Sequence, residues 1–188
     1  MKKQKIENYI IIGSIVGLGI LLLFRKKIEE TAKAVIYSAK DFVQKIKPMI
    51  ERIRPQYNSG FVISVAALES NYGNSKLAKE GNNLFSITGE TWAKQGKPVI
   101  YMDTKEYSDA KGWYITKRPF RKYGSWEESI QDFFNLLENN TRYQRVIQTL
   151  KGININDFAE AMWLSGYATA PEYKEKIIAR YNAIKNYL

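Results

Sequence analysis

Glu69 is the residue of this chain best placed for acid/base chemistry. It sits near the end of FVISVAALES (Phe61–Ser70), where Val62, Val65, Ala66 and Leu68 are apolar or small, and no basic residue lies within five positions of it. A carboxyl at the end of an apolar helix, with no cation beside it, has its charged form disfavoured, so its pKa rises. An acid that keeps its proton near neutral pH is what protonation of a leaving oxygen, such as a glycosidic oxygen, requires. The plainer reading is a glutamate that caps its helix or meets solvent at the helix end, and spacing alone leaves both open. Composition narrows the rest of the chemistry. The 188 residues include no histidine and no cysteine, which excludes Ser-His-Asp and Cys-His nucleophiles and zinc sites built on His or Cys. Carboxylate acid/base work is the simplest catalysis left, and the reading includes no metal and no cofactor.

The elements that must position Glu69 can be read from caps and periodicity. Asn58 or Ser59 caps a helix that runs through Phe61–Ser70 and ends near Gly73. Before it, Ile28, Val35, Phe42 and Met49 recur every seven residues, interleaved with Ala32, Ala39, Ile46 and Ile53. That stripe predicts a helix packed on the domain from Asp41 onward, interrupted at Pro48 and Pro55. Pro98–Tyr107 and Gly112–Arg118 are rich in β-branched and aromatic residues, and with Ser108–Lys111 as the turn they predict a β-hairpin. Ser125 and Glu128 form a capping box that opens a helix with Ile130, Phe133, Phe134 and Leu137 facing inward. Thr169 and Glu172, around Pro171, predict a second box that opens the last helix.

AALESNYGNSKLAKEGNNLFSITG (Ala66–Gly89) resembles the signature of glycoside hydrolase family 73, the glucosaminidase domains of bacterial autolysins, flagellar-rod hydrolases and phage wall-degrading proteins. DFVQKIKP (Asp41–Pro48), FRKYGSWEESIQDFFNLL (Phe120–Leu137) and GYATAPEY (Gly166–Tyr173) resemble further stretches of that family, in its order. The resemblance implies a mainly α, lysozyme-like α+β domain with a small β-hairpin lobe over the active-site cleft. It implies that Glu69 is the catalytic acid in endo-β-N-acetylglucosaminidase cleavage of peptidoglycan, after GlcNAc. It matches Glu106 to a second carboxylate on the lobe, which would position or activate water; a solvated hairpin-edge glutamate is the plainer alternative. Inversion through such a base and assistance from the substrate's acetamido group both stay open. Tyr167 matches a tyrosine placed near the catalytic glutamate, and Tyr173 is a second candidate for substrate binding. Asn83 and Phe85 match positions of the cleft floor. Trp92, Trp113, Trp126 and Trp163 are candidates for stacking on sugars, with core packing the better expectation for each. Where the family has an acid before Pro171, this chain has Ala170.

The net charge of +10 is unevenly spread: residues 1–40 hold 8 Lys/Arg against 3 acids, which leaves 21 against 16 in residues 41–188. Lys2, Lys3 and Lys5 precede the uncharged run Tyr9–Phe24, and Arg25, Lys26 and Lys27 follow it. Such a layout suits anionic lipid better than a nucleic acid, and no nucleic-acid partner is expected. As a helix the run spans about 24 Å, somewhat less than the roughly 30 Å hydrocarbon core of a bilayer. No small-residue cleavage site follows it, so it reads as a single transmembrane signal-anchor within residues 1–27. A short helical stalk (28–40) and the glucosaminidase domain (41–188) come next. Basic residues on both flanks leave orientation undetermined by charge. The expected setting is a bacterial cytoplasmic membrane with the domain on the wall side, or a virion if phage-encoded. Gly13 and Gly17 form a G-x-x-x-G through which two anchors would pair. The second enzymatic reading is a lytic transglycosylase or goose-type-lysozyme-like muramidase that cuts after MurNAc; these share the Glu-Ser pair, but no counterpart of their middle motif is found. A non-catalytic wall-binding or assembly module is the reading from another class.

Overall fold

The structure, a computed structural model, describes residues 39–108 and 112–188. The segment Tyr9–Phe24 with its Gly13/Gly17 pair, all but the last two residues of the 28–40 stalk, and the turn residues 109–111 lie outside the described residues. Among the described residues no helix is long and apolar enough to cross a membrane.

Helix α2 (Ser59–Ser70) is the axis of the domain. It is buried on every side from Gly60 to Ala67, as an all-round apolar helix must be. Asn58 starts it by accepting from the Gly60 and Phe61 amides at 3.1 and 3.4 Å. Around it pack α1 (residues 39–53), α7 (Ile155–Leu164) and α8 (Tyr173–Ile184). Phe61 stacks on Phe158 of α7 at 5.3 Å and meets Tyr181 of α8 edge-on at 5.5 Å. Helix α5 (Trp126–Glu138) adds Ile130, Phe133, Phe134 and Leu137, the four positions its periodicity marks.

Two sequence expectations shift here. The core face of α1 is Phe42, Val43, Ile46 and Ile50, while Met49 and Ile53 lie at its margin. The helix also runs straight through Pro48 to residue 53. An interior proline costs a helix about 3 kcal/mol. Burial of Ile46 and Ile50 on either side contributes about 1.5–3 kcal/mol each, so packing overrides the local signal. The end of α1 is then clasped to the end of α5 by Arg54, whose Nε and Nη2 donate to the two Glu138 carboxylate oxygens, both at 2.8 Å.

The capping box before α5 forms, displaced by one residue on its return arm. Ser125 Oγ accepts from the Glu128 amide at 3.2 Å, and Glu128 accepts from the Gly124 amide at 2.8 Å. The box expected at Thr169 and Glu172 does not form. The chain turns at Pro171–Glu172, Tyr173 N donates to Ala170 O at 3.1 Å, and α8 begins at Tyr173 with no side-chain cap. That start swings Tyr173 into the core, where only 4% of its surface is exposed.

The hairpin pairs β1 (Val99–Ser108) with β2 (Gly112–Arg121) antiparallel, in a register from Val99↔Arg121 to Ser108↔Gly112. Its root is joined to the loop after α3 (Lys76–Gly81): Gly89 N donates to Pro119 O at 2.7 Å, and Arg121 N to Ile87 O at 3.0 Å. Gly89 lies so close that a Cβ would stand 2.9 Å from the Phe120 carbonyl carbon. The short helix α4 (Glu90–Lys94) follows, and Arg118 of β2 donates to Glu90 from Nη2 at 2.6 Å.

Candidate active site

The end of α2 is fixed by the residue after Glu69. Ser70 is fully buried; its hydroxyl donates to Ala66 O at 2.5 Å and accepts from Gly73 N at 2.8 Å. The chain leaves the helix through three consecutive left-handed residues, Asn71, Tyr72 and Gly73, with φ of 49, 56 and 77°. A tyrosine in that region stores about 1–3 kcal/mol of strain. Tyr72 persists there because its ring packs edge-on to Phe42 at 6.1 Å and beneath the Arg180 guanidinium at 5.1 Å. At Gly73 any side chain would collide with Trp126, since a Cβ would lie 2.6 Å from its ring. The helix thus stops at a set place, ending short of the expected Gly73, with Glu69 one residue from its end.

Glu69 is ringed by protein yet keeps part of its surface open, the setting of a carboxyl on a cleft wall. Burial pushes its pKa above the ordinary carboxylate value, and hydrogen bonds from Tyr173 and Ser86 work against that rise. The Tyr173 hydroxyl donates to Glu69 Oε1 at 2.8 Å. With Oε1 accepting from Tyr173, a proton on this carboxyl is best placed on Oε2. Both tyrosine phenols nearby are held protonated, their pKa values raised first by burial and next by the Glu69 charge.

Of the two candidate tyrosines, Tyr173 is the one that touches Glu69. Tyr167 stands behind it: the two rings stack at 6.2 Å, and the Tyr167 hydroxyl donates to Phe85 O at 2.6 Å. Asn83 and Phe85 lie beneath the surface, 1% and 0% exposed. Asn83 Nδ2 donates to Ile87 O and Arg121 O, both at 2.9 Å, and its Oδ1 accepts from Phe85 N at 3.3 Å and Ile87 N at 3.1 Å. That uses both amide protons and both lone pairs of the side chain. Asn83 has nothing left for a ligand and instead braces the loop opposite Glu69. Phe85 stacks face to face on Phe133 with ring centroids 4.0 Å apart. One residue on this loop escaped the sequence reading: Ser86, at a positive φ of 53°, turns its hydroxyl to the Glu69 carbonyl at 3.5 Å. A positive φ on a serine between apolar neighbours has no local signature in the sequence.

Among the tryptophans, Trp126 is a packing residue, meeting Phe42 at 5.7 Å with Lys45 4.0 Å above its ring. Trp92 lies between Lys97 and Arg121, and Trp163 is partly exposed on α7.

The second carboxylate candidate, residue 106, pairs with residue 114 in the hairpin register. Exposure alternates along the ribbon. Positions 101, 103, 115 and 117 are exposed, whereas 100, 102, 104, 116, 118 and 120 are half-buried. Ile100 and Arg118 of the second set reach Gly81 and Glu90 in the helical body. The alternation stops short of the tip: Tyr114, the cross-strand partner of residue 106, is exposed. Among the described residues no three acidic side chains gather as a cation site would need.

A model of the glucosaminidase family, described as mannosyl-glycoprotein endo-beta-N-acetylglucosaminidase, matches residues 48–186. The chain belongs to the glucosaminidase family. It is 32% identical over 148 residues to the peptidoglycan hydrolase FlgJ of Vibrio cholerae, an alignment covering 75% of this chain and 42% of that protein. To an autolysin of Enterococcus faecalis it is 40% identical over 130 residues, covering 64% and 17%. A crystal structure of a peptidoglycan hydrolase mutant from Sphingomonas sp. A1 superposes with a TM-score of 0.66 at 29% identity, covering 79% of this chain and 97% of that one. The chain spans less than half the length of the curated relatives it matches. The matched segment contains Glu69, Ser86, Tyr167 and Tyr173, while Phe42, which packs on Tyr72, precedes it.

Proposed function

We propose that the chain is a peptidoglycan hydrolase that cleaves the β-1,4 bond after GlcNAc, with Glu69 as general acid. The observation that carries this reading is a desolvated carboxyl at a fixed helix end, bonded through one oxygen to Tyr173 and with no cation beside it among the described residues. Such a group holds its proton until a glycosidic oxygen arrives and then releases it as the bond breaks. Family membership supports the same chemistry, and the relatives named above are a peptidoglycan hydrolase and an autolysin. Glu106 is proposed as the second group, which acts on water from the lobe side; its place on strand β1 of the hairpin supports this. Tyr173 orients Glu69, while Tyr167 and Asn83 hold the wall behind it.

The remaining proposal concerns setting. Tyr9–Phe24 would tether the domain on the wall side of a bacterial membrane, and Gly13 and Gly17 would let two anchors pair. Carbonate extraction and cross-linking of the full chain in membranes test these two points. The activity is tested by mass spectrometry of digested sacculi, where the expected products carry GlcNAc at the new reducing end. Products ending in 1,6-anhydro-MurNAc would move the chain to the transglycosylase class.

A further inference from the structure

Two residues of the Glu69 site, Ser86 and Tyr167, also line a cavity of about 160 Å³, together with Ile87, Leu136, Arg142 and Tyr143. Pockets that enclose a whole small molecule run to roughly 300–1,000 Å³, so this one suits a single substituent of a larger ligand. Its walls are of two kinds. Ile87, Leu136 and the rings of Tyr143 and Tyr167 are apolar or aromatic; Ser86 and two arginines are polar.

The two arginines differ. The charge of Arg121 is paired: Nη1 donates to Asp132 at 2.7 Å, Nε donates to Thr88 O at 3.2 Å, and its guanidinium stands 5.1 Å from the centre of the Trp92 ring. Arg142 has no carboxylate partner among the described residues. It lies 4.6 Å above the Tyr143 ring and donates to the Tyr143 hydroxyl, contacts that aim the guanidinium without neutralising it. A directed and uncompensated guanidinium beside a pocket with both polar and apolar walls fits a small anion with an apolar stem.

We infer that Arg142 binds a carboxylate carried by the muramyl residue adjoining the bond to be cut. The inference rests on the peptidoglycan reading above. GlcNAc presents only hydroxyls and a neutral acetamide. The muramyl residue alone carries a lactyl ether, whose carboxylate is free where the stem peptide has been removed. Where the stem remains, the carboxylates belong to the peptide. The methyl of the lactyl or alanyl unit would lie against Ile87 and Leu136. Arg142 is thereby a specificity determinant, separate from the groups that move protons.

Binding tests this independently of turnover. The full chain in detergent, carrying Glu69→Gln to prevent cutting, is titrated with three probes: a neutral chito-oligosaccharide, amidase-stripped glycan strands and strands with stems intact. Adding Arg142→Gln should weaken one or both kinds of strand about 10-fold, the size of one charge-assisted contact at a partly exposed site. The chito-oligosaccharide should stay within about two-fold, and Arg142→Lys should recover most of the loss. A loss confined to stripped strands assigns the lactyl carboxylate; a loss confined to intact strands assigns the stem. Equal weakening of the neutral oligosaccharide, or no change with either strand, overturns the inference. Wild-type turnover on sacculi separates the two readings. Strands that bind through Arg142 and are never cut would remove the hydrolase proposal alone, and strands cut normally by Arg142→Gln with unaltered affinity would remove this one alone.

Discussion

Replacing Asn83 by alanine separates two roles that the residue could be given. If its side chain bound sugar, the variant would lose affinity and keep its stability. The structure assigns it to the interior: it is 1% exposed and spends its full hydrogen-bonding capacity on four backbone groups. Of these, Ile87 O keeps a second donor, the Arg121 amide at 3.0 Å. The amides of Phe85 and Ile87 and the carbonyl of Arg121 are the groups exposed to loss. A buried group left without a partner costs about 1–3 kcal/mol, and relaxation or an entering water recovers part of that. The expected destabilisation is therefore about 3 kcal/mol, measured by urea unfolding of the full chain. Asn83→Asp keeps the shape and one acceptor pair but turns a carboxylate toward two carbonyls, so it should be no better. Turnover should fall in both variants, because the braced loop carries Ser86 and anchors the hairpin at Arg121. A change below about 1 kcal/mol accompanied by a raised KM would refute this reasoning and return Asn83 to the substrate.

Three further perturbations probe the acid and its partner. Glu69→Gln should lower turnover on purified sacculi by at least about 100-fold, and near-normal turnover would remove Glu69 from the mechanism. The same variant should gain stability over wild type at neutral pH. Because the folded pKa is raised by burial, the native state holds its proton longer than the unfolded chain. Wild-type stability is thus full below the unfolded carboxylate value of about 4.3 and falls as pH climbs to the folded pKa, by about 1.4 kcal/mol per pH unit between the two. Thermal melts at pH 4 and pH 8 should show the advantage of Glu69→Gln only at the higher pH. Tyr173→Phe removes a donor to the carboxylate, so the Glu69 pKa should rise further and the alkaline limb of the pH–rate profile should move up; a downward move contradicts the hydrogen bond. If Glu106 activates water, Glu106→Gln should reduce turnover strongly and the first-formed anomer seen by NMR should be inverted. Retention with a nearly active variant would leave the acetamido route.

The helical frame was legible because its signals are local and mutually consistent. Asn58 and Ser125 cap where their types predict, and the four apolar positions expected to face inward along α5 are all buried. Pro48 and Thr169 mislead for the same reason as each other. Both are local signals overruled by side chains that must reach the core, Ile46 and Ile50 in one case and Tyr173 in the other. The hairpin ends were legible only to within about three residues, because β2 continues past Arg118 by pairing onto the Ile87–Gly89 loop. No window of sequence contains both partners of that contact.

The site was legible as a set of residues and illegible as a division of labour. Glu69, Asn83, Phe85, Tyr167 and Tyr173 do come together; the resemblance puts Tyr167 near Glu69 with Tyr173 as a second candidate, and it is Tyr173 that donates to the carboxylate while Tyr167 stacks behind it. Which tyrosine reaches the acid depends on where α8 starts, and that start is set by the turn at Pro171–Glu172 instead of the expected cap. The expected cap at Thr169 would have begun the helix at Ala170, three residues earlier; the turn instead presents the Tyr173 phenol to Glu69, with Tyr167 stacked behind it. Family motifs carry residue types across relatives, whereas the hydrogen bond to Oε1 is a property of this local geometry. The positions of Glu69 and Tyr173, the proposed proton donor and its orienting group, are thus set by two helix ends, the fixed stop of α2 at Ser70 and the uncapped start of α8 at Tyr173.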